Sequence, residues 1–160
     1  MATLYSNELR AVVINDNFLE TPQSVMKENC LTVQHFDYQC ERKRNESGEV
    51  YGAMEPVILS FSIRVNSPRH SRAYYSALIS NEHYYYSFIF NATYDANQRL
   101  EDFEDGMVVD AYVVHVDEEY VTRAVGEGAD KQILLNVKLQ VCGVTYAGKE
   151  NHLHSLFIQN

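Results

Sequence analysis

Apolar and polar residues alternate along several stretches of the chain, which is the pattern of half-buried β-strands. The alternation is strict over residues 57–65 and again over residues 133–141. Residues 84–94 add an aromatic strand, and residues 9–14 add a short first strand. Residues 107–116 are apolar at almost every position, which predicts a strand that is buried on both faces.

The stretch over residues 31–41 predicts a strand whose alternation changes phase. Leu31 and Val33 share one face, whereas the apolar residues that follow share the other: Phe36, Tyr38 and Cys40. One extra residue near Gln34 or His35 would reconcile the two halves. We therefore expect a β-bulge there.

One α-helix is predicted between the strands. Ser67 is a suitable N-cap, Pro68 suits the first helical position, and Asn81 is a plausible stop. Between them runs an apolar stripe at helical spacing, made of Tyr74, Ala77 and Leu78 with Tyr75 and Ile79 beside it.

The order of these elements lacks a βαβ rhythm, so a parallel sheet is not expected. The prediction is a mostly β fold, a small antiparallel β-barrel or two-sheet sandwich with one flanking α-helix. The 160 residues suit a single domain with its core at about residues 30–146. The N-terminal segment and the tail, with a predicted edge strand over residues 153–158, are peripheral.

The composition excludes several classes of protein. A net charge of −9 argues against nucleic-acid binding, which needs a basic face. No apolar run is long enough for a transmembrane helix, and the N-terminus does not resemble an export signal. Three cysteines without a CxxC spacing suit reduced thiols in a cytosolic protein.

A search for chemistry finds no active site. The His152-x-His154 pair has only Glu150 nearby to complete a metal site. A calcium loop starting at Glu101 would need oxygen ligands where Phe103 and Tyr112 stand. Catalysis by a cysteine is not supported by any motif. We expect no catalytic residue, no metal and no cofactor.

Charge is unevenly distributed along the chain. Residues 41–56 form a long polar excursion with a candidate interface set: Arg42, Lys43, Arg44, Glu46, Glu49 and Tyr51. Between Arg99 and Arg123 there are eight carboxylates and no Lys or Arg, with four of them close together: Glu101, Asp102, Glu104 and Asp105. Two ordinary solvated faces are the commoner cause. The alternative is a head-to-tail contact between a basic loop and an acidic edge of the next copy.

These features in this order resemble the Hcp (TssD) tube proteins of type VI secretion systems, particularly Bacteroidetes-type members, and more distantly phage tail-tube proteins. The resemblance covers about residues 30–146. It rests on the helix and on these segments: LTVQHFDYQCERK, NESGEVYG, PVILSFSIRVNS, YYYSFIFNATY, VVDAYVVHVDEEY and ILLNVKLQVCGVTY.

The resemblance implies a non-enzymatic subunit of hexameric rings that stack into a tube. The partners would be further copies of the chain and the sheath, spike and effector proteins, without nucleic acid or membrane insertion. The protein would leave the bacterial cytoplasm through the type VI apparatus without a signal peptide. Residues 41–56 would correspond to the loop that reaches neighbouring copies. The polar strand faces would line a lumen or meet a neighbour: Ser60, Ser62, Asn136, Lys138 and Gln140.

Two other functions remain open from the residues. A ligand-binding β-barrel could use a tyrosine-rich face to line an apolar pocket. An enzyme with an unrecognised site is the second alternative.

Overall fold

The computed structural model describes the backbone over residues 10–20, 22–39, 42–44, 46–47, 50–54, 57–65, 68–122, 131–148 and 153–157. The long strands in these ranges are β2 Leu31–Gln39, β5 Val57–Val65, β6 His83–Phe90, β9 Asp105–Thr122 and β10 Lys131–Gly148. The shorter strands are β1 Ala11–Ile14, β3 Arg42–Arg44, β4 Val50–Met54, β7 Thr93–Tyr94, β8 Leu100–Asp102 and β11 Leu153–Phe157. The helix α1 spans Pro68–Ser80, and two 3₁₀ turns span Pro22–Ser24 and Lys27–Asn29.

Six strands close into an antiparallel barrel. Their order is β10-β5-β2-β1-β6-β9, and the pairing of β9 with β10 completes the circle. The strand β11 pairs with β10 beyond the end of β5. This confirms the predicted fold class and places the predicted tail strand at Leu153–Phe157.

The interior of the barrel is filled with side chains. The inward residues of β5 alternate as predicted, and Val57, Leu59, Phe61, Ile63 and Val65 are all buried. The Phe61 ring lies 5.1 Å from that of Phe88 and 5.8 Å from that of Tyr74, both measured between centroids. Tyr74 comes from α1, so the helix closes one end of the barrel with an aromatic side chain.

The predicted β-bulge is present in β2. Val33 pairs with Ile63 and His35 pairs with Ser62, which leaves Gln34 as the extra residue. Val33 and Phe36 can therefore both face the interior, although without the extra residue they would lie on opposite faces of the strand. The bulge is what keeps both halves of this strand in register with the core.

From Pro68 onward, the helix matches its prediction except on one side of the apolar stripe, and the predicted N-cap Ser67 lies outside the described residues. Tyr74 and Ala77 are buried, and Asn81 ends the helix with a left-handed φ of 55°. Ile79 was expected to flank the stripe but is 83% exposed. The helix covers only the end of the barrel, so the buried part of its surface is narrow, and Ser71 occupies it instead.

Part of the connection between β1 and β2 covers the outside of the barrel. Phe18 and Val25 pack there against Ile89 and Val108. The two-sided burial predicted for residues 107–116 is therefore correct for Met107, Val108 and Val109. It is wrong for Val114, which is 43% exposed because this cover does not extend so far.

The polar excursion over residues 41–56 contains a β-ribbon rather than only a loop. Arg42 pairs with Met54 and Arg44 pairs with Val50. Glu46 lies in an exposed turn between the two strands. The side chains of Arg42, Lys43, Arg44 and Tyr51, and the whole of Glu49, lie outside the described residues.

Candidate assembly surface

The outward residues of four adjacent strands form two polar rows across the barrel. One row runs through His35, Ser62, Asn136 and Asp117, on β2, β5, β10 and β9. The next row runs through Asp37, Ser60, Lys138 and His115 on the same strands. We call these eight residues the polar ladder. They face outward because their neighbours along each strand face the core.

Hydrogen bonds join the polar ladder from strand to strand. The Ser62 hydroxyl donates to Oδ1 of Asn136 at 2.5 Å, and Nδ2 of Asn136 donates to Oδ1 of Asp117 at 2.7 Å. The other Asp117 oxygen, Oδ2, lies 2.7 Å from Nε2 of His115. Both carboxylate oxygens of Asp117 are therefore held, and three strands share one fixed polar surface.

These contacts lower the pKa of Asp117 below its ordinary value. The hydrogen bond from Asn136 is the main cause, and the one from His115 is second. A lowered pKa means that this carboxylate adds stability at pH values above the ordinary carboxyl range. That contribution is lost as the pH falls through the lowered pKa.

Replacing Asn136 with alanine should raise the pKa of Asp117 toward its ordinary value, because the largest stabilising contact of the carboxylate is removed. A carboxyl NMR titration of both proteins would measure the shift. Gln140→Ala is the matched control, since Gln140 lies on the same face of β10 but four residues away from Asn136. An Asp117 pKa that stays low in Asn136→Ala would contradict the proposed cause.

The predicted acidic edge is intact and exposed. Glu101 and Asp102 lie on β8, and Glu104 and Asp105 lead into β9. Nδ2 of Asn91 donates to Oε2 of Glu104 at 2.6 Å, which fixes one carboxylate to the end of β6. All four side chains are exposed, which agrees with a solvated acidic turn, and the predicted contact with a partner stays a prediction.

Strand direction places both charged segments at one end of the barrel and the helix at the other. β1, β5 and β9 run in one direction, and β2, β6 and β10 run in the other. The ribbon β3–β4 precedes β5, so it leaves the barrel at the end where β9 begins. We call this the hairpin end, and it also carries the acidic edge. The helix α1 follows β5 and defines the opposite, helix end.

The described cysteines do not have the properties of nucleophiles. Burial is the main cause that raises the thiol pKa of Cys30, and it does the same at Cys142, where Asp110 adds to it. An activated cysteine needs the opposite shift. Among the described residues, no three His, Cys, Asp or Glu side chains converge as a metal site. Within the same residues, no helix has the length and apolar content to cross a membrane.

Tyr74, Tyr85 and Tyr86 do not line a pocket inside the described barrel. Tyr86 stacks on Tyr74 inside the core, with ring centroids 5.9 Å apart and planes 17° from parallel. Tyr85 points outward and is 47% exposed. These positions give no support to the ligand-binding alternative.

Solved structures share this arrangement of barrel and helix. An Hcp protein of known crystal structure superposes with a TM-score of 0.63 at 13% sequence identity, over 95% of this chain and 99% of that chain. The chain has the Hcp fold. A double mutant of Hcp1 from E. coli gives a TM-score of 0.62 at 16% identity, over 94% and 97% of the two chains.

Hcp1 from Flavobacterium johnsoniae has the same fold, with a TM-score of 0.53 at 10% identity over 92% of this chain and 98% of that chain. No protein-family model and no curated protein matches the chain by sequence. The likeness to Hcp therefore lies in the fold, and both chains are covered almost completely.

Sequence reasoning identified part of this surface. Alternation alone placed Ser60, Ser62, Asn136, Lys138 and Gln140 on a polar face. It missed Asp117 and His115, because the part of β9 that precedes them is apolar at most positions. It also missed that Tyr120, at the end of β9, is 71% exposed. A carboxylate-rich end on an otherwise apolar strand was the available signal.

Proposed function

We propose that this chain is a non-enzymatic structural subunit that assembles into hexameric rings, and that these rings stack into the inner tube of a type VI secretion system. The observation that carries the proposal is the Hcp fold over 94% of this chain and 97% of the E. coli Hcp1 chain. The solid interior of the barrel also suits a building block.

The polar ladder gives the proposal a specific surface. It is hydrogen-bonded across three strands, and its charges of both signs are interspersed: Asp37, Lys138 and Asp117. A rigid polar face with little apolar area would stay hydrated next to cargo proteins that pass along it. We place this face on the lumen of the tube, where it would contact effectors.

The remaining partners follow from the same proposal. The outside of the tube would contact a sheath, and its tip would contact a spike protein. The protein would be made in the bacterial cytoplasm and leave through the apparatus without a signal peptide.

The assembly state tests this function directly. Light scattering coupled to size exclusion should give a mass of about 110 kDa, six times the 18.4 kDa of one chain. Electron microscopy should then show rings with a central opening. A chain that stays monomeric at millimolar concentration would overturn the proposal.

A further inference from the structure

A cavity lies at the helix end of the barrel, where α1 begins. Its volume is about 300 Å³, which is at the lower end of the range for small-molecule sites. The polar and charged residues in its wall are Asn15, Asp16, Asn29, Arg69 and His70. They come from the end of β1, the start of β2 and the start of α1, so three separate elements surround any group that enters.

The start of α1 carries charge of the sign that a helix N-terminus disfavours. The backbone N–H groups there give this end a partial positive charge, so acidic side chains are usual in the first turn. The first turn of α1, Pro68–Ser71, contains no acidic residue, and Arg69 and His70 lie in it instead. A local choice that opposes the helix dipole is expected where function requires it. A bound anion would compensate for both the dipole and the side chains.

A buried hydroxyl group points to the same cavity. Tyr74 is 0% exposed, and its hydroxyl has no hydrogen-bond partner among the described residues. The polar side chain that this hydroxyl faces is Asn15, which lines the cavity. Buried hydroxyls are nearly always hydrogen-bonded, so one without a partner needs an explanation. An amide that is held in place by a ligand in the cavity would supply the missing partner.

The charge balance of the cavity favours an anion. Asp16 is the one carboxylate in the described lining, and it is exposed, with its Oδ1 accepting the backbone N–H of Asn17 at 2.8 Å. The guanidinium of Arg69 offsets the charge of Asp16. The helix N-terminus and the imidazole of His70 leave the remainder of the wall positive or ready to donate hydrogen bonds.

We propose that this cavity binds a phosphate group, held by Arg69, His70 and the first turn of α1. The side-chain amide of Asn15 donates to the phosphate and accepts the hydroxyl hydrogen of Tyr74. Tyr74 is thus a positioning residue, which acts through Asn15 and gains its hydrogen bond when phosphate is bound. The site needs no second copy of the chain, so it goes beyond the proposed function and does not rest on it.

The arrangement of donors favours a phosphate over a carboxylate. A carboxylate has two oxygens in one plane, whereas the oxygens of a phosphate point in tetrahedral directions. The donors come from different sides of the cavity: Arg69 and His70 on α1, Asn15 after β1 and Asn29 before β2. Arginine also pairs with phosphate through two parallel N–H groups. A phosphate can therefore use donors that a carboxylate would leave unpaired.

Equilibrium dialysis with radiolabelled inorganic phosphate tests the site in the intact protein. At constant ionic strength, the parent protein should bind one phosphate per chain with a Kd of about 1 mM or tighter. Arg69→Gln should weaken binding about tenfold, because it removes a charge-assisted hydrogen bond. Arg72→Gln is the matched control, since Arg72 is exposed on the same helix but does not line the cavity. It should change the Kd by no more than about twofold.

The hydroxyl of Tyr74 has a test of its own. Tyr74→Phe removes only this oxygen and keeps the ring in the core, so the urea midpoint without phosphate should not fall. Its Kd for phosphate should rise about threefold, and that of Asn15→Ala should rise at least as much. The double variant should match Asn15→Ala alone, because both residues act through one contact.

Each measurement has a result that would overturn the inference. Binding that does not saturate at one phosphate per chain would do so, and so would equal losses in Arg69→Gln and Arg72→Gln, which indicate attraction by surface charge. Acetate that competes as strongly as phosphate would contradict the choice of ligand. Additive losses in Tyr74→Phe and Asn15→Ala would contradict the positioning role of Tyr74. Hexameric rings that bind no phosphate would overturn this inference and leave the proposed function standing.

Discussion

Replacing Phe61 with alanine is expected to lower the free energy of unfolding by about 3–5 kcal/mol. The ring is 1% exposed and packs edge-on against Phe88 and Tyr74, at centroid distances of 5.1 and 5.8 Å. Alanine removes the apolar area of the ring and leaves a cavity between two strands and the helix. These neighbours belong to different elements, so they cannot all move inward to fill the space.

Urea denaturation of both proteins measures this effect as a shift in midpoint at unchanged slope. Tyr85→Ala is the control. Tyr85 is also aromatic and lies on β6, close to Phe88 in sequence, but it is 47% exposed on the outer face of the barrel. It should cost no more than about 0.5 kcal/mol. A loss below about 1 kcal/mol in Phe61→Ala would mean that the interior can adapt or has unfilled space.

The Phe61 result also bears on function. A barrel that binds a small ligand in its interior keeps part of that interior empty, and removing one lining ring would then cost little. A packed interior leaves only the outer surface and the two ends for interaction. A large loss in Phe61→Ala would therefore favour a protein that acts through its surfaces.

The fold was predictable where the physical signal was local. The alternation of side chains in β5 depends only on neighbours along the strand, so Val57 to Val65 were assigned to the correct faces. The bulge at Gln34 was predictable for the same reason, since the change of phase is visible within β2. The helix was predictable from Pro68 and from the spacing of Tyr74 and Ala77.

Other features of the fold depend on what lies next to a strand in space. β9 and β10 each run 18 residues, much longer than the sequence segments that predicted them, residues 107–116 and 133–141. Their outer parts are held by pairing with each other rather than by an apolar pattern. The exposure of Ile79 likewise depends on how little of α1 the barrel end can cover.

The candidate surface, too, was predictable only where the signal lies within a single strand. The polar parity of β5 and β10 predicted Ser62 and Asn136, but their hydrogen bond joins residues 74 positions apart. Only the strand register brings Asp117 to Asn136 as a third member. The predicted basic and acidic segments were found by composition. That they leave the barrel at the same end follows from strand direction, which composition does not contain.

A second large effect is expected at Ser87, which is fully buried on the outer side of β6. Its hydroxyl donates to the carbonyl oxygen of Asp16 and accepts from the backbone N–H of Phe18 at 3.2 Å. Ser87→Ala leaves this buried N–H and carbonyl without their partner, which should cost about 1–3 kcal/mol. Ser60→Ala, on the partly exposed polar ladder, should cost no more than about 0.5 kcal/mol.

The loss of stability in Ser87→Ala should be local as well as global, because Ser87 attaches the connection after β1 to the barrel. Phe18 in that connection packs edge-on against Phe103, with ring centroids 5.3 Å apart, and it lies so close to Gly106 that a Cβ there would be 3.1 Å from its ring. Hydrogen exchange at Phe18 and Phe103 should therefore be faster in Ser87→Ala, whereas exchange in α1 should change only with global stability. Uniform acceleration over the whole barrel would contradict this local role.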